Sequence, residues 1–190
     1  PCKNIINNDF LLGALEISKN EFPDINIIPH YSVQHQYKRN RVNTLENLIY
    51  FIHTVKDLGY KEVLLVSGSQ KKSGLDSLSA LQNINFDNMI SNDDFSLGVA
   101  FNPYLPSILF EEEMLRLKRK LNTGRVNSVW IQFGTNYSLL EDKIKLLENL
   151  IDITNKCIFR NSDINLYGSI LIPSKQFLAR FKFRPWKGVS

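Results

Sequence analysis

Cysteine is nearly missing from this chain: Cys2 and Cys157 are the only two among 190 residues. Two thiols make neither a disulfide framework nor a cysteine-based metal knuckle, and such sparing use favours a reducing, intracellular compartment, cytoplasmic or mitochondrial. No apolar run reaches the ~18 residues that a membrane-spanning helix needs, so no membrane insertion is expected. The opening residues, PCKNIINNDF, lack the charged-then-apolar order of a secretory signal. No G-x-G-x-x-G follows the first strand-like stretch and no Walker A loop occurs, which leaves a nucleotide-binding Rossmann reading without its motif. The three histidines, His30, His35 and His53, are not arranged with carboxylates or thiols as metal ligands, so no metal is expected. Excess charge of one sign is modest too. A net charge of +4 suits an anionic cofactor or substrate, whereas nucleic-acid binders concentrate more basic charge than this, and no nucleic-acid partner is expected.

What is present is ordinary globular composition, 43% hydrophobic and 22% charged, in a chain of single-domain size with no repeat or low-complexity linker. The most informative stretch runs from Glu111 to Asn136, EEEMLRLKRKLNTGRVNSVWIQFGTN. It reads as a helix, a glycine turn and a buried strand. Met114, Leu115 and Leu121 are placed to face inward, with Glu113, Arg116, Arg119 and Lys120 on a polar face at helical spacing. Gly124 stands where a C′ glycine ends a helix. Ser128 to Phe133 is apolar enough for a parallel strand covered on both faces, except that it delivers Gln132 near its carboxyl end.

The same alternation runs through the rest of the chain. Phe10 to Ser18 reads as a helix and Ile25 to Ser32 as a strand with an internal proline. Gln34 to Asn43 is a polar, basic loop containing Lys38, Arg39 and Arg41. Thr44 is placed to cap a helix reaching Leu58 and stopped by Gly59. Glu62 to Ser67 is a buried strand, Leu75 to Gln82 a short helix beginning near Asp76, and Phe95 to Phe101 a strand closed by Asn102-Pro103. Leu139 to Ile153 carries Leu140, Ile144, Leu147 and Ile151 on one stripe. Ile164 to Ile172 is a strand, Pro173 to Phe183 a turn and helix, and Trp186 to Val189 the start of a last strand. Strands alternating with helices argue for a parallel sheet with helical crossovers. A doubly wound sheet and a (β/α)8 barrel fit that periodicity equally well.

In either fold the strand carboxyl ends share one rim. They offer His30 and Ser32, then Ser67 and Ser69, then Asn102, Gln132, and Pro173 with Ser174. The set is hydrogen-bonding and nearly uncharged. It suits the orientation of a planar heterocycle such as a pterin or an isoalloxazine, and it contains no nucleophile–base pair, so no catalytic residue is assigned. Each member also has a plain structural reading: a half-buried histidine, a satisfied strand-end amide, a solvated helix face with i,i+3 ion pairs.

Taken together and in order, these segments resemble the methylenetetrahydrofolate reductase family. HYS (30–32) is similar to the family's His-x-Thr at the end of its second barrel strand. NTLENLIYFIHTVKDLGYKEVLLVSGS looks like its helix, glycine, and strand ending in Gly-Asp, and GLDSLSALQ like a following Asp-Ser…Leu segment. SLGVAFNP parallels a strand ending in Ala-x-x-Pro. LKRKLNTG followed by IQ is close to Leu-Lys-x-Lys…Gly and Thr-Gln, and GSILIPSKQFLARF to Gly-Ile-x-Pro…Leu-x-Arg-Phe. The resemblance covers residues 25–189.

That resemblance implies a (β/α)8 TIM-type barrel with about six of its eight strands in this chain, a single domain over residues 1–190 that lacks the family's first strand. It implies reduction of 5,10-methylenetetrahydrofolate to 5-methyltetrahydrofolate with NAD(P)H, through bound FAD, in one-carbon metabolism and methionine biosynthesis. Gln132 and Ser69 would contact folate. His30, Ser32, Glu113, Arg116, Arg119 and Lys120 would contact the flavin. The chain departs from the family pattern at Gly68-Ser69, where the family has Gly-Asp, and it has no counterpart before Phe10 of the strand whose Glu supplies a proton. These departures support an alternative expectation, a barrel without catalysis that acts as a binding or assembly subunit. Exposed edges of an incomplete barrel predict an oligomer or a subunit of a larger complex.

Overall fold

A computed structural model describes residues 8–37, 40–68, 75–83, 95–157, 163–169 and 174–183. Helices and strands alternate throughout these residues: α1 (Asn8–Glu21), β1 (His30–Ser32), α2 (Arg41–Asp57), β2 (Glu62–Val66), α3 (Ser77–Asn83), β3 (Ser96–Phe101), α4 (Ser107–Leu121), β4 (Ser128–Ile131), α5 (Tyr137–Cys157), β5 (Asn165–Tyr167) and α6 (Lys175–Phe183). The strands form one sheet whose order is the sequence order, β1-β2-β3-β4-β5. The described pairings, β1 with β2, β2 with β3 and β4 with β5, are parallel. The expected α/β class with helical crossovers therefore stands. Among the described residues β1 and β5 end the strand order, and no pairing closes a barrel. The chain divides into two compact units, Pro1–Val99 and Ala100–Ser190, and the division falls inside β3 instead of at a linker.

In the first unit β1 is shorter than the expected Ile25–Ser32. Pro29 has no N–H to give a ladder, so only its carbonyl takes part, accepting from Leu64 N at 2.9 Å. Beyond Ser32 the ladder continues through Val33 N to Val66 O and Gln34 N to Ser67 O, both 3.0 Å. Helix α2 begins before Thr44, with Asn40 as its N-cap: the Asn40 side chain accepts from Asn43 N at 2.8 Å. Thr44 lies buried one turn in and donates its hydroxyl to Asn40 O. Gly59, at φ 81°, follows the helix end as expected. Leu48, Phe51 and Val55 of α2 are buried at helical spacing, and Phe51 meets Tyr31 of β1 with ring centroids 5.0 Å apart.

In the second unit α4 starts at Ser107, four residues before the expected Glu111, and this turns its buried face. Phe110 now heads the stripe, followed by Leu117 and Leu121, while Leu115 is half exposed. Lys120 shares the buried side at 5% exposure, so it does not belong to the exposed polar face that the spacing predicted. Gly124, at φ 71°, lies two residues past the C-cap Asn122, and the last turn is closed by Thr123 Oγ1 donating to Lys120 O. Phe101 packs edge-on to Phe110 with centroids 6.0 Å apart, a geometry that contributes about 0.5–1.5 kcal/mol beyond burial. Lys143 of α5 sits over the other part of this cluster, 3.3 Å from the Phe110 ring centroid. Strand β5 covers Asn165–Tyr167 of the expected Ile164–Ile172; residues 170–172 and 186–189 lie outside the described residues.

Tyr31 is 1% exposed and accepts a 2.8 Å hydrogen bond from Asn47 Nδ2; burial pushes its phenol pKa up to about 12. The folded state therefore favours the neutral phenol. Its contribution is fully present below pH 10, the unfolded value, and is lost as pH rises from there toward 12. Tyr31→Phe should cost about 1 kcal/mol at pH 7 through loss of the hydrogen bond from Asn47. In denaturant titrations the variant should also lose less stability than the parent between pH 9 and 11; an identical pH dependence would show that Tyr31 does not titrate with unfolding.

Candidate functional site

The carboxyl end of β1 meets that of β2 around a glycine. Register pairs Ser32 with Val66, the last residue of β2, so the same offset brings Gln34 level with Gly68, and Gln34 N donates to Ser67 O. Gly68 has φ 89°, and a Cβ there would lie 2.5 Å from Ser32 Oγ and 3.1 Å from His35 Cδ2. Only glycine allows this approach. Within the cradle Ser32 Oγ and Gln34 Oε1 are both buried without any hydrogen-bond partner. Buried polar atoms are almost always satisfied, so this pair at a parallel strand end departs from the usual pattern.

The neighbouring polar groups are otherwise engaged. Ser67, expected as a rim residue, is 2.9 Å from Ser77 Oγ and accepts from Ser77 N, which ties down the start of α3. Asp76 completes that start by accepting from Ser79 N at 2.8 Å. His30 begins β1 instead of ending it and is level with Leu64 in mid-strand. Part of its surface meets solvent, yet enough of the ring is desolvated to lower its pKa, which favours the neutral imidazole. Ser69, Lys38, Arg39 and Pro173 lie outside the described residues.

The second unit presents a different group at its strand ends. Gln132, directly beyond β4, is exposed, and its N–H donates to Phe101 O at 2.8 Å. The same peptide group carries Asn102 N–H, which donates to Glu113 Oε1 at 3.3 Å. Glu113 and Gln132 are thus brought to one strand end, on either side of a single peptide. Asn102 Oδ1 accepts from Tyr104 N, and the Tyr104 ring fills the space a side chain at Gly134 would occupy. Tyr104 is buried, which raises its phenol pKa.

The remaining predicted cofactor contacts follow the course of α4, which runs away from that end. Arg116 lies one turn beyond Glu113, and Arg119 and Lys120 lie in the last turn, roughly 10 Å from Glu113 along the axis at 1.5 Å per residue. Arg119 is exposed there and Lys120 is buried.

Sequence reasoning missed three residues. Gln34 falls in the expected loop from Gln34 to Asn43, although it continues the two-residue spacing of His30 and Ser32. Trp130 and Tyr167, paired across β4 and β5, stack with centroids 4.5 Å apart, and Trp130 Nε1 donates to Ser128 Oγ. Alternation along β4 puts Trp130 and Gln132 on the same face.

Neither a protein-family model nor a curated protein matches the chain. Among the described residues no group of three or more His, Cys, Asp and Glu side chains is arranged for a metal, and no helix is long and apolar enough to cross a membrane. One cavity, of about 260 Å³, is lined by Lys19, Phe22, Ile25, Ile27, Tyr60 and Lys61. It lies at the amino end of β2, the end of a parallel sheet that does not ordinarily carry ligands. Lys19 is held there by donating to Leu58 O and by lying over the Tyr60 ring.

Replacing Ser32 by Ala removes a hydroxyl that has no partner, so thermal unfolding should show no loss or a gain of up to ~1 kcal/mol. Gly68→Ala should cost about 1–3 kcal/mol through the positive φ and the collision with Ser32. The same substitution should cost less in the Ser32→Ala background, because one of the two clashing atoms is gone. Equal costs in both backgrounds would show that Ser32 and Gly68 do not touch.

Proposed function

We propose that this chain is a methylenetetrahydrofolate reductase-like barrel protein that holds FAD at the carboxyl ends of its strands and reduces 5,10-methylenetetrahydrofolate to 5-methyltetrahydrofolate with NAD(P)H. The observation that carries the reading is the pair of buried, unpartnered atoms, Ser32 Oγ and Gln34 Oε1, around Gly68. An isoalloxazine edge offers alternating N–H and carbonyl groups, the complement of an amide oxygen and a hydroxyl that can donate or accept. Ser32 also belongs to the stretch that resembles the family's His-x-Thr. Strand order supports the barrel. The strands follow one another in sequence order, without the reversal of order that defines a doubly wound sheet.

A bound flavin would supply the hydride relay between nicotinamide and the folate methylene carbon. The chain's own residues would bind and orient. Ser32 and Gln34 would fix the ring edge, Gly68 would let Ser32 sit close against the exit of β2, and His30, whose pKa is lowered by partial burial, would border the ring without adding charge. Gln132 would offer its amide to the pterin. Of the basic residues on α4, Arg116 and Arg119 suit phosphate oxygens on physical grounds, whereas the buried Lys120 suits them less.

A second reading, a barrel that binds or assembles without catalysis, is favoured by apolar side chains left exposed on the helices of the second unit. Ile108 is 77% exposed, Leu115 50% and Ile153 58%.

The two readings separate in one assay. Purified protein mixed with FAD should become yellow after desalting and should oxidise NADH or NADPH when methylenetetrahydrofolate is added. Ser32→Ala should weaken FAD binding about tenfold or more without loss of stability. Gln132→Ala should slow folate turnover about tenfold or more while unfolding shifts by less than about 0.5 kcal/mol, as for an exposed side chain. Colourless protein with no turnover would leave the assembly reading in place.

A further inference from the structure

Helix α4 buries one stripe, Phe110, Leu117 and Leu121, and at about 100° per residue Ile108 and Leu115 fall on the opposite side. Those two are 77% and 50% exposed and stand in line, seven residues apart. The outward face of a surface helix ordinarily carries charge, not branched apolar side chains. Here the charge flanks them, and it is sorted by sign along the axis. Glu111 and Glu112 lie on the amino-terminal side of Leu115 and Lys118 and Arg119 on its carboxyl-terminal side, all four exposed. The spacing is symmetric: Glu112 and Lys118 are each three residues from Leu115, and Glu111 and Arg119 are each four. Glu111, Lys118 and Arg119 have no residue of opposite charge three or four positions away on α4, so the helix offers them no partner of its own.

We infer that this face of α4 binds the same face of α4 in a second copy of the chain, the two helices antiparallel about a two-fold axis at Leu115. A two-fold contact needs a surface complementary to itself. Antiparallel pairing provides one. Glu111 and Glu112 of each copy meet Arg119 and Lys118 of the other, so that opposite charges ring the two Leu115 side chains on the axis. Each Ile108 then covers the last turn of the other helix. Parallel pairing would set glutamate against glutamate and cation against cation, so the order of charge selects the antiparallel form. Symmetric spacing about one leucine is what a copy of the same helix requires and an unrelated partner does not. The apolar centre supplies the attraction and the ionic rim the orientation, since exposed ion pairs contribute little each. One helix of about 22 Å from each copy buries less than a standard interface, so association at micromolar to millimolar concentrations is expected. Arg119 then meets a carboxylate and not a flavin phosphate. The contact goes beyond the proposed function and is independent of flavin and folate chemistry.

Sedimentation of the full chain and three variants provides the test. The parent should pass from monomer to dimer as its concentration rises from micromolar toward millimolar, and association should weaken about fivefold or more in roughly 1 M salt. Leu115→Asp puts two carboxylates on the axis and should weaken dimerisation about thirtyfold or more. Glu111→Lys with Glu112→Lys makes the stripe wholly basic, and Lys118→Glu with Arg119→Glu makes it wholly acidic. Each double variant should remain monomeric alone. An equimolar mixture of the two should dimerise, because every facing pair is then of opposite charge. Recovery on mixing cannot come from misfolded protein, and circular dichroism checks helix content in each variant. A parent that stays monomeric throughout, double variants that dimerise alone as the parent does, or a mixture that stays monomeric overturns the assignment. A dimer unaffected by Leu115→Asp overturns it too, because the copies then meet elsewhere.

Discussion

Parallel pairing of β1 with β2 forces two chain exits side by side, and the missing side chain at Gly68 is what lets them pass. Strand β2 leaves the sheet through a residue at φ 89°, a conformation that L side chains rarely adopt. The exit of β1 occupies the volume a Cβ would need, with Ser32 Oγ 2.5 Å from it. The consequence is chemical as well as steric. The backbone satisfies itself, through Val33 to Val66 and Gln34 to Ser67, and leaves two side-chain oxygens enclosed with nothing to bond. Stability alone gives no reason to keep them, because each unsatisfied buried polar atom costs free energy.

The second unit solves a related problem with a peptide group. The last peptide of β3 has its carbonyl taken by the residue after β4 and its N–H by a carboxylate from α4. The close fit of Gly134 against Tyr104 fixes the segment that follows Gln132. Site residues held by strand ends and packed loops in this way are positioned without large side-chain rearrangement.

Much of the fold was legible from periodicity. The alternation of elements, the parallel pairing and the glycine stop after α2 follow from hydrophobic spacing and turn chemistry. The errors have local causes. Pro29 truncates β1 because it cannot donate, Asn40 displaces Thr44 as a cap because its side chain reaches Asn43 N, and Phe110 rotates the buried stripe of α4 by extending the helix backward. That rotation buries Lys120, whose four methylenes can lie along apolar neighbours as no residue-class pattern foresees. Of the candidate site, Ser32 and Gln132 could be read from their positions at strand ends. Gln34 could not, because polar residues after a strand look like any loop, and the role of Glu113 depends on a contact between residues eleven apart, Asn102 and Glu113.

The proposed function requires that ligand be held at the carboxyl ends of the strands and not in the cavity at the amino end of β2. Hydrogen–deuterium exchange of the protein with and without FAD tests it most directly. Slower exchange at the amides of residues 33–36 and 66–68, with residues 22–27 and 59–61 unchanged, is the predicted result. Protection confined to residues 22–27 and 59–61, or no protection at saturating FAD, would contradict it.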